Sequence, residues 1–294
     1  MTVSYEVLGF YAALVVWAGL LGVAVKQRSY RRFLAFGIAI LLFLNVRYLV
    51  AGSANGIANF IGIYDVFDNI GLGRDDGAAA LARCPENACT VWGDRYVNHQ
   101  SWGVAFYDRF ANGPALRNNL LYGHIFFNTV AFVLMHYQLF RPGTGTNRTR
   151  HRLIGRISFG AVSVGTFFAL WLSTEHGDVS EYGGNMAMVG FWSMSAFVYG
   201  TAIMGVVTIR RGNHAAHRIW MIRFAGSMWG AFWLFRVMLV VTGPLLRNYE
   251  SASLLISIWF SAPLGIAIAE TVRRRSVRGP ATPVPAAEEA AVTA

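Results

Sequence analysis

The 294-residue chain is 55% hydrophobic and only 14% charged, with a mean hydropathy of +0.42, whereas soluble domains carry roughly a quarter charged residues. That balance excludes an ordinary soluble globular domain. A net charge of +10 would point to nucleic acid in a soluble protein, but here the cations fall between apolar runs, so the expected partner is a lipid bilayer and no nucleic acid.

Seven apolar runs reach the roughly 20 residues that cross a hydrocarbon core of about 30 Å, near 6–25, 33–51, 120–140, 153–174, 185–208, 219–242 and 252–270. Continuous runs of this length satisfy their backbone in lipid only as helices. The first is read as a retained helix, because MTVSYE has an acid and no basic n-region. Helices one and two occupy 1–51. Residues 52–119 are expected to form an extracytoplasmic cap. It holds the only cysteines, Cys84 and Cys89 in CPENAC, and a dense set of aromatics that includes Trp92, Tyr96, Trp102 and Phe110. An outward location and a five-residue separation allow a Cys84–Cys89 disulfide. Helices three to six fill 120–245 and helix seven 252–270. The Pro- and Ala-rich tail, 278–294, reads as disordered. The expected fold is therefore all-α: a polytopic bundle of seven transmembrane helices with a cap between helices two and three.

Charge alternates along the linkers. Residues 26–32, 141–156, 210–223 and 273–278 hold 17 of the 25 Lys and Arg residues and no acid. The opposite segments hold 12 of the 15 acids. By the positive-inside rule this predicts a multi-pass protein of the cell membrane, N-terminus extracytoplasmic and C-terminus cytoplasmic.

Two arginines interrupt apolar runs, Arg47 in LLFLNVRYLV and Arg236 in FWLFRVMLV. Both belong to the outer half of the bundle in this topology, and no Asp or Glu lies mid-run to pair with them. One reading is snorkelling to outer-leaflet phosphates. The other is an outward-opening pocket for an anionic, lipid-like ligand, with Asn45, Asn128 and His124 adding hydrogen bonds.

The seven histidines sort by depth. His124 and His136 lie on helix three, about 18 Å apart along the axis. His176 joins the outer level; His151, His214 and His217 join the inner. Two layers suit bis-histidine haem b in a membrane electron-transfer protein, with His124 facing His176 or His99, and His136 facing His217 or His151. Plain interfacial histidine explains the same positions. No non-haem metal site is expected at the inner level, because no carboxylate or thiolate is seen nearby. Phosphate loops, HExxH and nucleophile elbows are absent, so no catalytic residues are assigned. The small residues of FGAVSVGTF (Gly160, Ser163, Gly165) indicate close helix approach. A membrane protein partner or assembly role, docked on the basic inner face, is a third reading.

HRLIGR at 151–156, HRIWMIR at 217–223 and the preceding GHI…HYQLF helix resemble a family of uncharacterised prokaryotic integral membrane proteins, domain of unknown function 2306, over roughly 120–245. The resemblance implies that His124, His151, Arg152, Gly155, Arg156, His217, Arg218, Trp220 and Arg223 belong to a shared pattern. With His214 they form a candidate inner motif. It implies no activity.

Overall fold

In a computed structural model, residues 5–69, 89–92, 95–98, 109–140, 148–174, 183–246 and 250–277 are described. They are helical apart from a short ribbon and turns. The helices are α1 (Tyr5–Gln27), α2 (Arg31–Asn69), α3 (Ala115–Phe140), α4 (Arg148–Thr174), α5 (Asn185–Arg210), α6 (His214–Trp229), α7 (Phe235–Leu245) and α8 (Glu250–Val277). Two strands, β1 (Cys89–Trp92) and β2 (Arg95–Asn98), pair antiparallel between α2 and α3, with Cys89 opposite Asn98 and Trp92 opposite Arg95. His99, His176 and Cys84 lie outside the described residues, and with them the proposed disulfide and the outer haem partners.

Among the described residues, six helices are long and apolar enough to cross a membrane unaided: Leu8–Gln27, Arg31–Ser53, Ala115–Phe140, Arg148–Thr174, Asn185–Arg210 and Ala252–Arg275. The predicted sixth run differs. It folds as α6, a five-residue π-helical turn Gly230–Leu234, and α7. Trp229 and Phe235 flank the turn with helical backbone angles, so the rod continues over the 32 residues from His214 to Leu245 and is also long enough to cross.

The boundary expected at residue 51 lies beside a break in the helix. Gly52 adopts φ 85°, ψ 166°, a conformation that costs any residue with a Cβ. It breaks α2, but helix resumes and runs to Asn69. The first part of the expected cap is therefore helical. Basic residues 148–156 are likewise the opening turns of α4, not linker.

Consecutive helices pack side by side from α1 to α6, and α8 closes against α5, α6, the π turn and α7. Contacts between the start of α4 and the start of α6 (His151–His217) and between α6 and the end of α8 (Arg223–Glu270) gather the basic segments at one end of the bundle. At the other end, the Ser53 hydroxyl donates to Asn118 Oδ1 and the Ser53 N–H to the Tyr122 hydroxyl at 3.0 Å, which ties the α2 break to α3. Arg109, just before α3, donates to the Leu172 carbonyl at 2.9 Å, and Phe110 buries against Leu121 and Leu172. The segment entering α3 is thus docked onto the bundle.

The main core joins α2, α3, α4, α5, α6 and the π turn, through residues such as Leu41, Phe132, Val162, Val198, Met228 and Trp233. The backbones of α6 and the π turn approach that of α8 closely. A Cβ on Gly226 would sit 2.6 Å from the Gly265 carbonyl oxygen, one on Gly230 2.3 Å from that of Ser261, and one on Gly265 2.2 Å from that of Gly226. This is the GxxxG mode of helix packing, at a pair the sequence reading passed over. The FGAVSVGTF expectation holds only in part. Gly165 packs against the Asn128 side chain, but a Cβ on Gly160 would meet nothing within 4 Å.

Candidate functional site

The described residues singled out by the sequence fall in three places on the bundle. The first is at the basic end. Asn213 caps α6 by accepting from Ala216 N–H at 2.9 Å, which fixes the start of the helix that carries His217. His217 turns inward and its Nδ1 donates to the Gly205 carbonyl at 2.8 Å. A Cβ on Gly205 would lie 2.9 Å from Met221 Sδ, so glycine there leaves room for both residues. The His151 ring stands perpendicular to that of His217, centroids 6.4 Å apart. The His151 carbonyl accepts from Gln138 Nε2 at 3.3 Å, and Gly155 faces the same glutamine. Arg152, Arg156, His214 and Arg218 are exposed. Arg223 lies over the Trp220 ring, 4.6 Å from its centroid, and reaches Glu270 at 3.7 Å.

Glu270 corrects the view that no carboxylate serves this end. It pairs with Arg273 at 2.6 Å and Arg274 at 3.1 Å as well as with Arg223. Its position as the last residue of an apolar run hid it, since four residues of helix bring it beside Arg274.

The second group is central. His136 on α3 is buried, and both its nitrogens are engaged. Nδ1 donates to the Phe132 carbonyl at 2.7 Å, and Nε2 accepts from the Trp229 indole N–H at 2.6 Å. That pattern sets the neutral Nδ1–H tautomer. Trp229 belongs to an aromatic stack with Trp17, Phe33 and Trp233. Trp17 and Trp233 also donate to the Phe33 and Gly37 carbonyls. The His136 ring packs against Phe132, Phe140 and Trp229. The expected meeting of His136 with His151 or His217 is replaced by this one. Among the described residues, the histidine rings that meet are those of His151 and His217.

The third group lies beyond the π turn, towards the Gly52 end. Asn45 on α2 is 3% exposed and donates to Thr129 Oγ1 on α3 at 2.7 Å. One residue earlier, buried Asn128 donates to the His124 carbonyl at 3.0 Å, and His124 Nδ1 donates to the Gly165 carbonyl of α4 at 3.0 Å. Arg236 is the second residue of α7. It donates to the Phe232 carbonyl, inside the π turn, at 2.5 Å and lies 6.0 Å from the Phe232 ring centroid. No carboxylate pairs with it among the described residues. Arg47, half-buried on α2, is two residues from Asn45. Asn45 and Asn128 thus lie on facing turns of α2 and α3, through the Asn45–Thr129 hydrogen bond. Sequence reasoning missed Thr129 and the π turn.

Helices that span a membrane, joined by charged ends and enclosing polar groups, define an integral membrane protein of the polytopic helix-bundle class. Within that class the chain belongs to the family described as "Predicted membrane protein (DUF2306)", which it matches over residues 121–272. No curated protein and no solved structure matches it.

Proposed function

We propose that this protein binds an anionic, lipid-like ligand in the half of the bundle that holds Arg236. The observation that carries this reading is a guanidinium within a membrane span that donates to the Phe232 carbonyl and has no carboxylate partner among the described residues. A charge at such depth is retained where a counter-ion meets it. An acid group on an amphiphile supplies one, with His124, Asn128 and Asn45 lining the approach and Arg47 as a second cation. Mass spectrometry of ligands co-purified from native membranes tests this. Arg236→Gln is expected to lower the bound acid by about 10- to 100-fold, the worth of a charge-assisted hydrogen bond, while Arg236→Lys retains part of it. Equal acid content in wild type and Arg236→Gln would refute the reading.

A bis-histidine haem b is the competing use of these histidines. It predicts a Soret band that His136→Ala removes. His136 fits that role poorly, because ligation needs the Nε2 lone pair that Trp229 occupies.

The basic end is assigned to the cytoplasm on charge bias. A C-terminal green fluorescent protein fusion is expected to fluoresce and a C-terminal alkaline phosphatase fusion to be inactive. The reverse result would invert the topology.

A further inference from the structure

The first turns of α6 and the last turns of α8 leave an open groove between them at the basic end. Ile219, Ile222, Ala269 and Val272 make an apolar floor; Arg218 and Arg273 stand at the rim, with Ala215 at the exposed margin. The apolar span of α8 ends at Arg275, so floor and rim straddle the level where acyl chains give way to headgroups. Trp220, under Arg223 in the adjoining turn, is the residue type that settles at that level.

The charge at the rim is not neutralised from within. Glu270 is shared by Arg223, Arg273 and Arg274, so the cluster keeps a net positive charge. Arg218 is exposed and has no acidic partner among the described residues. Glu270 takes Nε and Nη2 of Arg273 at 3.1 and 2.6 Å. That grip positions the guanidinium and leaves Nη1 for a further acceptor.

We propose that this groove is a binding site for an anionic phospholipid, one acyl chain on the apolar floor and the phosphate between Arg218 and Arg273. A soluble anion would leave the floor bare. A zwitterionic lipid would carry its ammonium into a cationic rim. An anionic phospholipid matches both halves and relieves the repulsion between the two arginines. The site is about 27 Å from Arg236 along the helix and stands independently of the pocket proposed there.

Native mass spectrometry of the full chain in non-ionic detergent, titrated with phosphatidylglycerol or phosphatidylcholine, tests it. Wild type is expected to retain phosphatidylglycerol in preference. Arg218→Gln with Arg273→Gln should weaken retention about 30-fold, at about fivefold per arginine near a headgroup. Ala215→Trp should weaken it by obstructing the groove with both charges intact. Arg31→Gln with Arg32→Gln, exposed at the start of α2, should leave it unchanged. Equal retention of the two lipids would overturn the proposal. So would wild-type retention by either groove variant, or displacement of the lipid by an equal concentration of glycerol phosphate.

Discussion

Gly265→Leu is expected to prevent this bundle from assembling. Even the first carbon of a side chain would lie 2.2 Å from the Gly226 carbonyl oxygen and 2.9 Å from the Gly230 backbone. These are backbone atoms of a neighbouring helix, so no rotamer change relieves the contact and α6 must separate from α8. Overpacking typically costs about 1–3 kcal/mol when side chains can shift. Gly265→Ala should fall in that range and Gly265→Leu beyond it. Separation would also pull Ser261 and Ala262 from Gly230, which spreads the damage along the seam. Gly160→Leu is the matched control, since its Cβ direction is open, and it should gain slightly from better helix propensity. Thermal unfolding in detergent, read by fluorescence size-exclusion, measures all three. Gly265→Leu behaving like Gly160→Leu would refute the close crossing.

The second large effect is at Trp229. Trp229→Ala removes a ring that touches Trp17, Phe33, Phe132, His136 and Trp233, and it also strips His136 of its Nε2 donor. Truncation of a large core aromatic costs about 3–5 kcal/mol. Trp229→Phe keeps most of the ring and isolates the lost hydrogen bond, worth about 1–3 kcal/mol when the abandoned partner stays buried. His136→Leu added to Trp229→Phe removes the orphaned nitrogen. The double variant should therefore be more stable than the two single losses predict together. Strict additivity in that cycle would show that the indole and imidazole do not act as a pair.

The gross architecture was legible because lipid leaves few options. Apolar runs of spanning length must be helices, and the charge of their linkers gathers basic residues at one end. The deeper pattern was not legible. Nothing in GSMWGAFWLFRVML announces a π turn, since the residues before and after it are equally apolar. The Gly226–Gly265 contact depends on which faces of two helices meet, and helix periodicity is weak when both lipid and protein neighbours are hydrophobic. Trp229 and His136 are 93 residues apart, beyond the reach of any local signal. The nearness of Asn45 on α2 to the Asn128–Thr129 turn of α3 has a simpler origin. Polar residues inside apolar runs are costly alone, so depth matching is enough to place them near one another.

The five-residue turn at Gly230–Leu234 also sets an angular phase. Each helical residue advances about 100° around the axis, and a π turn inserts one residue beyond the α count. Everything after Leu234 is therefore rotated relative to a straight continuation of α6. Trp229 and Trp233 still stack before the shift takes full effect, whereas Arg236 comes after it. One rod thus presents tryptophans to the α1–α2 side at one depth and a cation to the His124 layer at another. Deleting a single residue within the turn would leave charge unchanged and hydropathy nearly so, yet swing Arg236 by about 100° around the helix axis.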